Sequence, residues 1–233
     1  MTSQPDSIRT HVLVLLLAAL VAVGSAHDYA GGWNDGSRLA AVESLVERHT
    51  WAIDDSPFLA GTQDKLLIGD HYYSDKSPVP AVLMAGEYAV WRTLTGLTAQ
   101  SRPDLFCRCM TLGTSGLAYA LAIWSMFRLG RPMRLPAGLR WRLTASFALA
   151  TVAPAYVRHV NNHMMLLGVT AMLLVELVWL GREGRRSPIL RLIGIGALAG
   201  FAYAIDLGAG PVMLLGTCCH VFGRCGWRAS LIV

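Results

Sequence analysis

The feature that most constrains this chain is a succession of apolar runs of roughly 15 to 22 residues, separated by short turns rich in arginine. Once such a run enters hydrocarbon, no water is left to satisfy its N–H and C=O groups, so it must close its hydrogen bonds within a helix. A composition of 54% hydrophobic against 15% charged residues, with a mean hydropathy of +0.44, excludes both disorder and an ordinary soluble enzyme. The expected class is all-α, a polytopic helical membrane protein forming a single membrane domain over residues 1–233.

The net charge of +5 is unevenly placed. Residues 28–108 hold eleven acids and seven bases, a net of −4, so the remainder carries +9. The surplus bases sit in short turns between apolar runs, which is how Lys and Arg mark the cytoplasmic side of a membrane protein; no nucleic-acid partner is expected. Five cysteines are an odd number, and all lie outside the long polar stretch, so they are read as packing residues.

The run over 80–98 carries Glu87 and Arg92 in its interior, each costing about 3 kcal/mol at a bilayer centre. If it crossed, the turns with Arg128, Arg131, Arg134, Arg140 and Arg142 and with Arg182, Arg185, Arg186 and Arg191 would face outward. If it lies along the outer surface, both clusters face inward together with Arg9. The second arrangement predicts about six spans, near 11–27, 108–127, 143–157, 164–181, 190–205 and 209–223. The N-terminus is then cytoplasmic, residues 28–107 form an extracytoplasmic loop with amphipathic helices, and 108–233 form the transmembrane bundle.

Within 28–107, Asn34-Asp35-Gly36-Ser37-Arg38 precedes a short amphipathic helix. Leu39, Val42, Leu45 and Val46 share one face, with Arg38, Glu43, Glu47 and Arg48 on the other. Asp35 and Ser37 are both N-cap types, and a helix N-terminus gives the Asp35 carboxylate a fixed position just outside the first span. His71-Tyr72-Tyr73-Ser74-Asp75-Lys76-Ser77-Pro78 follows directly before the surface helix, and two tyrosines and a lysine there suit either an interfacial belt or a lipid phosphate. Further along, Glu176 is expected to pair with Arg182, Asp206 to border a polar cavity, and Gly194, Gly196 and Gly200 to pack closely against a neighbouring helix.

The runs NDGSRLAAVESLVERHTWAID and GTQDKLLIGDHYYSDKSP resemble the first extracytoplasmic loop of the GT-C superfamily of integral-membrane glycosyltransferases, closest in pattern to the lipid A aminoarabinose transferase and protein O-mannosyltransferase group. Asp35 falls on the family's acidic position, Ser37-Arg38-Leu39-Ala40 on its helix start, and Asp75-Lys76 on its acid-lysine pair. Gly36 stands where many members have a second acid, Ser77 replaces a proline, and Arg158-His159-Val160-Asn161-Asn162-His163 replaces an acidic outer turn.

The resemblance implies transfer of a sugar from a polyprenyl-phosphate donor to a hydroxyl of a glycan, lipid or protein acceptor. Asp35 would be the general base, with Arg38, Lys76, Arg158 and Asn162 binding substrate and a divalent metal on Asp75 and His163 as a further candidate. The resemblance covers the N-terminal half of the family pattern, which leads to the expectation of a truncated member. The competing expectation is a non-catalytic membrane protein, a transporter or an assembly subunit; paired broken helices in repeated halves, the mark of a transporter, are not evident in the sequence.

Overall fold

The computed structural model describes residues 8–230 and is mostly helical, with one small hairpin. Three helices are long and apolar enough to cross a membrane: α1 (Ile8–Ser25), the continuous helix Pro103–Leu129, and one over Asn162–Glu183. The helix Pro103–Leu129 consists of α4 (Pro103–Thr111), a π-helical turn at Leu112–Gly116, and α5 (Leu117–Leu129). The chain divides into two compact units.

One unit comprises Ala22–Leu117 and Ala155–Asn162. Here α2 (Trp33–Glu43) runs into a π-helical turn, Ser44–Arg48. A short 3-10 turn at Leu59–Gly61 leads to an antiparallel hairpin, β1 (Lys65–Ile68) with β2 (His71–Ser74), in which Leu66 faces Tyr73 and Leu67 faces Tyr72. Gly69, at φ +62°, makes the reversal without the steric cost that a side chain would meet. The helix α3 (Pro78–Thr95) starts with proline in its first turn, where a missing N–H costs nothing, and ends on Gly96 in the left-handed region.

Leu39, Val42, Ile53, Met84, Tyr88 and Phe106 are buried in one core cluster that joins α2, α3 and α4. Ala81, Met84 and Tyr88 recur at helical spacing on the inner face of α3, whereas Val82, Leu83, Val90 and Leu94 are exposed. Arg92, costly in a buried span, donates to the carbonyl of Val46 at 3.1 Å, and Tyr88 donates to Glu47. These contacts fasten α3 to the π-helical turn at Ser44–Arg48.

The expected amphipathic helix is present, but its polar side is not a solvated face. Arg38 is 3% exposed and Glu43 0%, and Glu43 pairs with Arg48. Burial pushes the Glu43 carboxyl above its ordinary value despite Arg48. The face turned inward because α3 and the hairpin cover α2 on more than its apolar stripe.

The other unit contains the described residues up to Val21, Ala118–Pro154 and the chain from His163 onward. It holds α6 (Ala137–Leu149), the first half of the four-residue α7 (Ala153–Tyr156), nearly all of α8 (Asn162–Glu183), α9 (Ile189–Ile205), α10 (Gly210–Cys225) and the one-turn α11 (Trp227–Ser230). The helix expected over 143–157 is thus two pieces: it starts at Ala137, breaks after Leu149 and resumes for a single turn. Arg140, expected in a turn, is buried on α6, where it donates twice to the carbonyl of Phe127 and stacks on that ring at 4.1 Å.

Glu176 pairs with Arg191 at 3.0 Å and lies 3.8 Å from Arg128, which replaces the expected pairing with Arg182. The intended partner sits six residues away, beyond the three or four that bring side chains together on a helix. Asp206 accepts from the N–H groups of Gly208 and Ala209, both at 2.9 Å, and so organises the turn into α10. A Cβ on Gly194 or Gly200 would meet nothing within 4 Å, so these two are not helix contacts; α9 buries Leu192, Ile195, Ala199 and Ala202 instead. The close approach occurs at Gly168, where a Cβ would fall 2.8 Å from the carbonyl oxygen of Ala118.

Candidate functional site

The site lies in the unit built on Ala22–Leu117 and Ala155–Asn162, and it begins where α1 ends. The carbonyl of Val23, left without a partner at the helix end, accepts from Arg108 at 3.0 Å. Seven residues separate Ser25 from the start of α2, and this short connection is folded by Asp35. Its carboxylate accepts from the N–H of Gly31 at 2.5 Å through Oδ2 and from the N–H of Gly32 at 2.7 Å through Oδ1. Asp35 is therefore not the N-cap expected from its residue type. It sits three positions into α2 and reaches back to Gly32, which holds the cap position. Each oxygen keeps a second lone pair, so the carboxylate is positioned without being used up.

Asp35 is 4% exposed, and its nearest ionisable neighbour is His159, whose Nδ1 lies 3.6 Å from Oδ2. The His159 ring packs edge-on against His27 with centroids 4.4 Å apart, and Tyr29 stacks beside His27 at 4.7 Å. Burial, then the neighbouring His159 and Arg158, hold the His27 imidazole below its ordinary value, so it is neutral at neutral pH. The segment carrying His159 is anchored by Ser115, whose hydroxyl donates to the His159 carbonyl at 2.6 Å and accepts from the N–H of Asn161 at 3.0 Å. Ser115 is offered by the π-helical turn at Leu112–Gly116, a distortion that recurs at functional sites in helices.

One turn after Asp35 on α2 comes Arg38, and the i, i+3 spacing puts both on one side of the helix. Arg38 and Lys76 line the same cleft of about 280 Å³, walled by Trp51, Tyr73, Ser74 and Pro78. The hairpin is held to α2 by Ser37, whose hydroxyl donates to the carbonyl of Asp64 at 2.6 Å and bonds the Ser74 hydroxyl at 2.6 Å. Arg38 donates to the Asn34 side chain at 3.2 Å, and Lys76 pairs with Asp64 at 2.7 Å and Asp75 at 3.0 Å. Two carboxylates occupy two of the three ammonium donors of Lys76, which leaves one for a ligand.

The remaining candidates are placed less centrally. Arg158 is exposed, and its carbonyl accepts from the His27 N–H at 3.0 Å. Asn162 is 8% exposed at the start of α8, and His163 is exposed beside it. Asp75 is committed to Lys76, and among the described residues no group of three or more His, Cys, Asp and Glu side chains could hold a metal ion. None of the five cysteines is in a disulfide among the described residues.

Three features escaped the sequence. Trp51 and Tyr73 as cleft walls depend on the hairpin fold, and the packing of His159 over Gly31 depends on a contact across 128 positions. Only the Gly31-Gly32 pair signalled the last one: a Cβ on Gly31 would collide with the His159 ring. No family model, no curated protein and no solved structure matches the chain.

Proposed function

We propose that the chain is a membrane glycosyltransferase of the GT-C kind, moving a sugar from a polyprenyl-phosphate donor to an acceptor hydroxyl on the extracytoplasmic face. The reading is carried by one observation: a buried, backbone-held carboxylate, Asp35, stands one helical turn from a guanidinium that shares a cleft with an ammonium, Lys76. Displacement of a lipid phosphate by a hydroxyl needs a base for the incoming oxygen and cations for the departing ones, and α2 carries Asp35 and Arg38 one turn apart.

In this mechanism Asp35 takes the proton of the acceptor hydroxyl while that oxygen attacks the anomeric carbon from the side opposite the phosphate. The new glycosidic C–O bond forms as the bond to the phosphate oxygen breaks, and the electron pair leaves with the lipid phosphate. Inversion follows from a single displacement. Arg38 and Lys76 stabilise the charge that develops on the departing oxygens, and a positioned cation acts most strongly where water is excluded. The His27–His159 pair closes the far side of the carboxylate. Arg158, next to His159 in sequence, and Asn162 are kept in this reading as further substrate contacts.

The topology proposed with this function has six crossings, the N-terminus in the cytoplasm and residues 28–107 outside. Two features support it: α3 carries Glu87 and Arg92, and its exposed Val82, Leu83, Val90 and Leu94 suit a helix lying in the interface with that stripe toward lipid. A donor whose phosphate sits at headgroup depth would be met there.

The test is sugar transfer by the purified full chain from polyprenyl-phosphate donors, with Asp35→Asn beside the native sequence. We expect transfer by the native chain and a loss of at least ~100-fold in the variant, the scale on which positioned acid–base groups act. Transfer undiminished in Asp35→Asn would remove the role given to this residue, and no transfer by the native chain would favour a non-catalytic membrane protein.

A further inference from the structure

We propose that the cleft between the C-terminal ends of α8 and α10 binds an anionic membrane phospholipid, with its phosphate between Arg182 and Arg224 and an acyl chain along the apolar wall below. The cleft measures about 540 Å³ and lies wholly within the unit that contains both helices. Its shape follows from spacing. Gly216, His220 and Arg224 recur every four residues and so share one face of α10, while Leu174, Val178 and Gly181 share the facing side of α8.

Small residues open the floor. A Cβ at either Gly181 or Gly216 would meet nothing within 4 Å, so both positions leave space in the cleft. Leu174, Leu177 and Val178 supply a continuous apolar wall. The rim is cationic: Arg182 and Arg224 are exposed, and neither has a carboxylate partner among the described residues. The nearest acid in sequence, Glu183, is committed to Arg191 and to Ser187. His220 lines the same cleft, and its Nε2 is buried without a hydrogen-bond partner among the described residues.

The two helix ends are fixed to each other. The Cys225 thiol donates to the carbonyl of Gly184 at 3.2 Å, just past the end of α8. The cations therefore stand at a set separation over a preformed cleft. Because α8 is long and apolar enough to cross a membrane, its terminal Arg182 comes to rest at headgroup depth. Two arginines above an apolar wall at that depth match a lipid phosphate with its chains, as basic pockets between transmembrane helices do. A soluble anion would use the rim but leave the wall exposed to water. This site is independent of the transferase reading.

The experiment measures binding of a fluorescent dioleoylphosphatidylglycerol to the full chain in detergent micelles, with a dioleoylphosphatidylcholine probe as the zwitterionic counterpart. The phosphatidylglycerol probe is expected to bind more tightly, and Arg182→Gln with Arg224→Gln to weaken it by about tenfold or more. Gly216→Leu, which fills open space without changing charge, should weaken it comparably. Arg142→Gln, an exposed arginine elsewhere in the unit, should leave it unchanged. The proposal is overturned by equal affinity for the two probes or by unaltered binding in the double variant and in Gly216→Leu. It is equally overturned by a matching loss in Arg142→Gln, or by displacement of the probe by glycerol phosphate at micromolar concentration, which would mark a site for soluble anions.

Discussion

The imidazole of His159 stands directly over Gly31 while its Nδ1 lies 3.6 Å from the Oδ2 of Asp35, the same oxygen that accepts the Gly31 N–H. One glycine therefore governs two features of the site, the position of the carboxylate and the packing of the ring beside it. A Cβ at position 31 would overlap the ring, so Gly31→Ala should push His159 outward and shift the Asp35 loop. We expect transfer activity to fall by roughly 10- to 100-fold, since displacements near 1 Å cost that much in a positioned site. His159→Ala combined with Gly31→Ala should recover part of the loss by removing the clash. The comparison is made from kcat/KM of the two variants; equal activities in the single and double variants would place the effect elsewhere.

Much of this arrangement could be read from residue order, and the limits are physical. The helices over 162–183, 189–205 and 210–225 begin and end within two residues of the apolar runs at 164–181, 190–205 and 209–223, because apolar length and flanking arginines act locally; of the three, Asn162–Glu183 is long and apolar enough to cross a membrane. The helix expected over 80–98 is present at Pro78–Thr95. The hairpin at residues 65–74 was not legible, since KLLI followed by GDHYYS lacks the alternation that marks a half-buried strand, and Leu66, Leu67 and Ile68 are all exposed. Neither π-helical turn could be seen, because each depends on what packs beside it: Arg92 on the carbonyl of Val46, and Ser115 on the backbone of His159. Asp35 and Lys76 stand out in the sequence through their local patterns, a helix start and an acid-lysine pair. The cleft that Lys76 shares with Arg38 required the pairing of Ser37 with Ser74, 37 positions apart.

Among the described residues Arg48 is the one ion-pair partner of Glu43, whose side chain is fully buried. Removing the cation leaves a carboxyl in the core with no opposite charge, which costs far more than the pair is worth. Arg48→Met should lower stability by about 3 kcal/mol, whereas Arg48→Met with Glu43→Gln should recover part of it. Denaturant midpoints of the detergent-solubilised chain would check this. A single variant as stable as the native chain would show that Glu43 is protonated or hydrated in the folded state.

Lys76 bridges Asp64 and Asp75 at the half-buried edge of the cleft, and pairs so situated contribute little to folding. Lys76→Gln should therefore change stability by less than about 1 kcal/mol. If the proposed transfer holds, its effect on catalysis should be larger, a fall of ~10- to 1,000-fold in kcat with a lipid-phosphate donor, because in that reaction the lost charge would face the leaving group. A variant that loses thermal stability and activity in proportion would mean that the lysine holds the hairpin and does nothing for the phosphate.

Glu87 provides the clearest pH dependence. Its carboxylate sits against Gly113 in the π-helical turn, so closely that a Cβ there would overlap it, and burial pushes its pKa up to about 7 from an ordinary 4.5. The folded protein thus holds a proton more tightly than the unfolded chain. Stability is full below about 4.5, where both states are protonated. It falls as pH rises from 4.5 through 7, because the unfolded chain ionises first, and levels off above 7. Glu87→Gln removes this term: it should raise the melting temperature by roughly 2–5 °C at pH 8, leave it unchanged at pH 4, and flatten the slope between. Thermal unfolding of both chains across that range would decide the matter, and parallel curves would show that the carboxyl is ionised and solvated in the folded state. Gly113→Ala should act in the opposite sense at every pH, since its methyl group displaces the Glu87 side chain whether or not the carboxyl is charged.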